Sequence, residues 1–208
     1  MEKEIDPAGW PRRAHYELFR AAAMPHMSLT ARVDVTAFHA AVKAENGSLF
    51  AGVLYAALKA ANDIPEMRIR FRDRRIIEHE RIHASYTVPL SGDRFGFCET
   101  LYSQDRKSFE AAMREAIATA TAIDELTENT TESDHWIYSS CMPWLDFTGA
   151  QQPVASADDC IPRIVWGKIV ERDGRREMAV NLQAHHALVD GLHAARFFEL
   201  MQRNLDGF

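Results

Sequence analysis

Two adjacent histidines, His185 and His186, are followed by Asp190, Gly191 and a third histidine, His193, in the run QAHHALVDGLHAARF (Gln183 to Phe197). Imidazole titrates near neutrality. A neutral histidine can therefore take a proton from a hydroxyl as that oxygen attacks an acyl group, and return it to the leaving group. Metal binding fits this spacing less well, because a zinc-binding helix presents histidines at i and i+4 and no such pair occurs here. Alternation along the preceding strand puts Met178, Val180, Leu182, Ala184 and His186 on one face, and Asn181, Gln183 and His185 on the other. The two neighbours are thus expected to do different jobs. Asp190 can pair with an arginine or cap the helix that follows, and Gly191 permits a tight turn into that helix.

The elements that position these residues are legible from the pattern around them. The chain has 208 residues and no internal repeat, low-complexity tract or linker, which predicts a single domain over residues 1–208. A formal net charge of −6 argues against a nucleic-acid partner. The locally basic RIRFRDRR (Arg68 to Arg75) alternates with Ile69 and Phe71 and reads as the solvent face of a strand running into a turn. No apolar run is long enough to span a bilayer and no signal peptide is read at the start, so no membrane partner and a cytoplasmic location are expected. Cys98, Cys141 and Cys160 lack CxxC spacing and read as free thiols of a reducing compartment.

WPRRAHYELFRAA predicts a short helix opened by Pro11, SLTARVDV (Ser28 to Val35) a strand, and Thr36 the cap of a helix running to about Ala44. SLFAGVLYAALKAAND is a buried helix ended by Pro65. EMRIRFRDRRIIEHE gives two strands about Asp73, and HASYTVPL and RFGFCETLY two more. Asp105 caps an amphipathic helix carrying Phe109, Met113, Ala116, Ala120 and Ile123. HWIYSSCMPWLDF is strand-like, and the stretch from Arg163 to His186 is a hairpin about an Asp-Gly turn. GLHAARFFELMQRN closes the chain as a helix. Strands and helices mix without strict alternation, which predicts a large, mostly antiparallel or mixed sheet packed by helices.

HHxxxDG followed by LHAARF resembles the signature of the chloramphenicol acetyltransferase family, within the acetyl-CoA-dependent acyltransferase superfamily that includes the dihydrolipoyl acyltransferase cores. By that resemblance the second histidine, His186, is the catalytic base. Asp190 forms a structural ion pair with an arginine just after an N-terminal tryptophan. Trp10 and Arg12 of GWPRRAHYELF stand in that place, with Arg13 the neighbouring alternative. SSCMPWLDF is similar to the family's Ser-x-x-Pro-Trp segment and assigns Ser140 to the oxyanion, the donor that acyl transfer needs. YSQD, VDVTAF and WGK fit the same register, and the likeness runs from about Ile5 to Gln202.

The resemblance implies an α/β two-layer sandwich with a mixed, largely antiparallel sheet, the CoA-dependent acyltransferase fold. It further implies a homotrimer with active sites at its interfaces, and acetyl-CoA as co-substrate with no metal. Direct transfer to a small acceptor alcohol, chloramphenicol or a similar compound, would confer antibiotic resistance without a covalent role for Cys141. Lys168 would approach the CoA side, while Leu18, Phe19, Met27 and Phe95 would line the acceptor pocket. Two departures bear on the acceptor more than on the reaction. LDFTGAQQPVASADD replaces an Asn-rich stretch after Trp144, and Val165 stands where the family tends to place a threonine. A related acyltransferase with another acceptor, and a non-catalytic ligand-binding protein on the same fold, are the alternative readings.

Overall fold

The computed structural model describes residues 1–73, 75–127 and 133–208; Arg74 of the basic run lies outside the described residues. The elements run β1 (Glu2–Ile5), α1 (Arg13–Arg20), β2 (His26–Asp34), α2 (Thr36–Ala44), α3 (Leu49–Asn62), β3 (Ile69–Arg72), β4 (Arg75–His79) and β5 (His83–Pro89). They continue with β6 (Phe95–Thr100), α4 (Arg106–Ile123), β7 (Trp136–Met142), β8 (Arg163–Arg172), β9 (Arg175–His185) and α5 (Gly191–Asp206). Six strands form one mixed sheet in the order β2-β9-β8-β7-β5-β6, in which β7 runs parallel to both β5 and β8 and the other pairs are antiparallel. A small second sheet, β1-β4-β3, uses the N-terminal strand β1 that the sequence pattern did not reveal.

The helix predictions rest on sound local chemistry. α3 is apolar nearly all round and almost wholly buried, with Ser48 Oγ accepting from Ala51 N at its start. Asp105 caps α4 by accepting from Ser108 N at 2.9 Å, and Phe109 and Met113 face the core. Thr36 is not a cap. Val35 occupies that position, Asp34 Oδ1 takes the Thr36 amide, and the Thr36 hydroxyl accepts from Arg176 N. The β8–β9 hairpin turns at Asp173 and Gly174, both with positive φ, as a tight two-residue turn requires.

The two faces of the large sheet differ in kind. Met178, Val180, Leu182 and Ala184 of β9 join the buried cluster under the helices, with Ile164 and Trp166 of β8 and Phe38, Leu54 and Phe197 of the helices. The opposite face carries Asn181 and Gln183, each 1% exposed, beneath the segment 143–162. Buried amides must be paired. Gln183 exchanges two bonds with the Gln152 backbone, and Asn181 Nδ2 donates to Ser28 and Thr30 hydroxyls on β2. β9 ends at His185, and His186 opens the turn after it, its amide still bonded to Pro25 O in register with the His26–His185 pair.

The covering segment packs tightly on the sheet at Gly167. A Cβ there would stand 2.6 Å from the Leu145 carbonyl oxygen and 3.1 Å from the Phe147 ring, while Lys168 N donates to that same carbonyl. Gly167→Ala is expected to lower stability by about 1–3 kcal/mol, the usual cost of overpacking. A denaturant midpoint that drops with an unchanged slope would register it.

Candidate active site

The turn after β9 is held from several sides. His186 N donates to Pro25 O at 2.8 Å, and Leu188 N and Val189 N both donate to His185 O at 3.0 Å. Asp190 caps α5, its Oδ1 accepting from Leu192 N at 3.0 Å and His193 N at 3.4 Å. His193, the third histidine of the run, closes a capping box as its Nδ1 accepts from Asp190 N at 3.1 Å. Burial holds the His193 pKa below its usual value against the pull of Glu66 and Asp190. The ring is therefore neutral and keeps its Nδ1 lone pair for the cap, although Asp190 Oδ1 also lies 2.9 Å away.

The other Asp190 oxygen, Oδ2, accepts from Arg12 Nη1 at 2.8 Å, so the first arginine after Trp10 takes the pairing. Arg13 instead faces solvent and bonds Glu17 at 2.7 Å. Burial alone would raise the Asp190 carboxyl. The hydrogen bond from Arg12, with His193 and the charge of Arg12, outweighs it and holds the group below the ordinary carboxylate range.

The two histidines have separate surroundings, as adjacency on a strand predicts. His186 is half-buried and stacks on Phe19 of α1, with ring centroids 3.8 Å apart and planes 10° from parallel. Its Nδ1 is sealed from solvent without a partner among the described residues, which leaves Nε2 as the nitrogen able to meet a substrate. His185 is 1% exposed and fully engaged: Nδ1 accepts from Ala187 N at 3.1 Å, and Nε2 donates to Ala157 O at 3.0 Å. Burial, aided by His26, pushes its pKa down to about 4.

Ser140 lies on β7, on the sheet face away from the helices, and lines a cavity of about 430 Å³. Phe95 and Phe97 of β6 form an edge-to-face pair on this wall, with Thr87, Tyr138 and Val165 beside Ser140. A polar end is made by Gln152 and the Arg163–Asp159 pair at 2.5 Å. Ser140 Oγ is 2.8 Å from Thr87 Oγ1. Cys141, its neighbour, has its thiol pushed up to about 11 by burial, which disfavours the thiolate that a nucleophile needs.

One chain does not bring His186 and Ser140 together. Ser140 pairs with Val165 and Val165 with Asn181, so Ser140 is two strands from β9. His185 is four residues further along β9 than Asn181, which puts it about 16 Å from Ser140 by strand spacing and rise. The acceptor-pocket residues divide in the same way. Phe95 lines the Ser140 cavity, and Phe19 contacts His186. Leu18 is 66% exposed on α1, and Met27 is half-buried on edge strand β2 opposite Ala184. Lys168 is exposed on β8 beside Gly167, apart from both. Among the described residues no three His, Cys, Asp or Glu side chains gather as a metal site, and no helix is long and apolar enough to cross a membrane.

The family model for chloramphenicol acetyltransferase matches residues 2–202. The chain belongs to the chloramphenicol acetyltransferase family. Chloramphenicol acetyltransferase 2 of Haemophilus influenzae is 28% identical over 204 residues, covering 97% of this chain and 96% of that protein. Chloramphenicol acetyltransferase 3 of Escherichia coli is 24% identical over 201 residues, covering 96% and 94%. A solved chloramphenicol acetyltransferase superposes with a TM-score of 0.88 at 26% identity, covering 99% of this chain and 100% of that one. A probable dihydrolipoamide acetyltransferase from Listeria monocytogenes shares the fold, with a TM-score of 0.70 at 20% identity, covering 99% and 94%. The fold is the CoA-dependent acyltransferase fold.

The two departures expected from the resemblance fall on one surface. The variant stretch after Trp144 is the segment that covers Asn181 and Gln183, and Val165 is 1% exposed in the cavity wall next to Ser140. Sequence reasoning missed Thr87 and the Arg163–Asp159 pair. Thr87 could have been found from the alternation of Ser85 and Thr87 against Ala84, Tyr86 and Val88, which predicts a polar strand face opposite the core.

Two histidines, His185 and His83, have pKa values lowered to about 4, in each case chiefly by burial. The unfolded chain takes up these protons near pH 6.5 while the folded chain resists them to about pH 4, so the stability they contribute is complete above pH 6.5 and is lost as pH falls toward 4. The melting temperature is expected to decline across that window. His185→Gln, whatever its absolute stability, is expected to show a shallower decline by calorimetry from pH 7 to 4.

Proposed function

We propose that the chain transfers an acetyl group from acetyl-CoA to a hydroxyl of chloramphenicol or a similar small alcohol. Membership of the family supports this, and the observation that carries it is the His186 ring, held at the strand end by the Arg12–Asp190 turn with Nε2 free beside Phe19. His186 Nε2 takes the acceptor's proton as the hydroxyl oxygen attacks the thioester carbonyl. Ser140 donates a hydrogen bond to the resulting oxyanion. Collapse breaks the carbon–sulfur bond, and CoA leaves as the thiol after receiving the proton from the imidazolium. Arg12 and Asp190 keep the turn in shape and touch no substrate. Lys168 lies toward the CoA side, and Phe95, Phe19, Met27 and Leu18 contribute to the acceptor pocket.

The separation of His186 from Ser140 within one chain supports a site completed by a second copy, in a homotrimer whose histidine faces its neighbour's serine and aromatic cavity. Residues 1–208 act as one acetyltransferase domain in this reading, supported by a single buried cluster that draws on both sheets and all five helices. A cytoplasmic location is supported by three free cysteines. No metal takes part. In a cell exposed to the drug, turnover of chloramphenicol would confer resistance.

The buried Arg163–Asp159 pair and Val165 in the cavity wall favour a second reading, in which the same chemistry serves a different acceptor. A panel of acceptor alcohols at fixed acetyl-CoA, followed by thiol release, separates the two. Activity confined to another alcohol removes chloramphenicol and leaves the reaction. Stabilisation by a ligand without thiol release identifies a binding protein instead.

With the preferred acceptor, His186→Ala is expected to lose at least about 10²-fold in kcat, the lower bound for general-base work. Co-expression of His186→Ala with Ser140→Ala tests the shared site. Neither variant alone is active, but random mixing in a cyclic oligomer leaves about a quarter of the interfaces with both groups intact. Recovery of thiol release toward that fraction is the expected result, and silence in a mixed oligomer excludes sharing.

A further inference from the structure

Thr87 is adjacent to Ser140 in a way that bears on how the oxyanion donor works. The two residues occupy neighbouring parallel strands, one step past the registered pair Tyr86–Ser139, and both side chains line the same cavity. Their hydroxyl oxygens are 2.8 Å apart, and either atom can be the donor. Among the described residues Ser140 is the one side-chain hydrogen-bond partner recorded for Thr87 Oγ1.

A hydroxyl has one proton and two lone pairs. To stabilise an oxyanion, Ser140 must aim its single proton at the substrate. An isolated serine hydroxyl rotates freely and can turn that proton elsewhere, so part of its donor strength is lost before the reaction begins. A second hydroxyl that donates to Ser140 Oγ removes that freedom. It occupies a lone pair, directs the serine proton away from itself, and polarises the serine O–H bond. Threonine suits this role because its β-branch restricts χ1 and fixes the direction of its hydroxyl. A serine at position 87 would supply the same group with a looser rotor.

We propose that Thr87 is a positioning residue for the transfer: its hydroxyl donates to Ser140 Oγ, so that the Ser140 proton points into the cavity when the oxyanion forms. This rests on the oxyanion role proposed above for Ser140. It predicts an effect on kcat rather than on affinity, since the relay strengthens as negative charge develops on the carbonyl oxygen.

The test measures thiol release from acetyl-CoA with the best acceptor of the panel. Thr87→Val keeps the shape and removes the hydroxyl. It is expected to lower kcat about 5–10-fold, the scale of one neutral hydrogen bond, with both KM values within about twofold and an unchanged melting temperature. Thr87→Ser is expected to recover most of the loss. In the Ser140→Ala background Thr87→Val is expected to have no further effect, because the relay then has no donor to orient. A Thr87→Val enzyme with full kcat, a loss seen in KM alone, or an additive loss on top of Ser140→Ala overturns the relay. Full kcat in Ser140→Ala itself overturns the oxyanion role and the relay together while leaving acetyl transfer intact. A parent protein silent with every acceptor overturns the acetyl-transfer reading and the relay with it.

Discussion

Arg12 and Asp190 are 178 residues apart in the chain and 2.8 Å apart in space. Their ion pair fastens the start of α1 to the first turn of α5, and both walls around His186 follow from it. The aspartate end caps α5 and thereby fixes where β9 stops and the turn begins. The arginine end brings α1 over that turn, which sets Phe19 flat against the imidazole. The pair is only partly exposed, at 16% and 27% of the two side chains, so removing either partner strands a charge in a site poorly served by water. The neutral His193 beneath it takes the Asp190 amide and frees both carboxylate oxygens for the helix cap and the arginine. One carboxylate thus serves secondary structure, long-range closure and the presentation of the His186 ring.

The sheet imposes the second constraint. Its helix face is apolar and continuous with the core, while its other face is built from amides, hydroxyls and one buried ion pair under an irregular cover. Ser140 belongs to that polar face, two strands from β9, whereas His186 stands at the very end of β9 where the chain turns. No rotamer of either side chain spans the interval. If His186 and Ser140 act on one carbonyl as proposed, the base and the oxyanion donor come from different copies of this chain. In the proposed oligomer, a site at such a meeting would exclude water from the thioester and make catalysis conditional on assembly.

The parts of this architecture that were legible in the sequence are those set by local chemistry. The Asp105 cap, the all-round apolar α3, the Asp-Gly hairpin and the helix after Gly191 each need only a few neighbouring residues to be specified. The Arg12–Asp190 pair was legible for a different reason, through a resemblance joining the two ends of the chain. What could not be read depends on tertiary partners. β1 is a four-residue acidic strand that exists because β4 offers it an edge. Thr36 has the composition of a cap, but Asp34 takes the amide and Arg176 takes the hydroxyl. His186 lies just past the end of β9 because Pro25, opposite it in register, accepts its amide but has no N–H to return, which ends the ladder. The cavity was invisible for the same reason, since its walls come from β5, β6, β7, β8 and the segment over them.

That distribution explains why the reaction and the acceptor are written in the chain with unequal clarity. The proposed chemistry needs a ring at one turn and a hydroxyl at one strand position, and short motifs specify both. In the proposed enzyme, acceptor recognition would fall to the cover over the polar face, which is tied down by backbone groups (the Gln152 amide and carbonyl to Gln183, Ala150 O to Ser28, Ala157 O to His185 and Asp159 O to His26) and by Asp146 and Asp158, which pair with Arg32 and Arg20. The backbone anchors leave the side chains between these aspartates free to change without loosening the cover. The same strands can therefore hold a cavity whose aromatic end, Phe95 and Phe97, suits a ring, and whose opposite end can be recast, here as Arg163 and Asp159, which neutralise each other and present a polar surface without net charge. In the proposed enzyme, specificity would drift through side chains of the cover while its backbone bonds, Ala157 O to His185 among them, still brace the turn that carries His186.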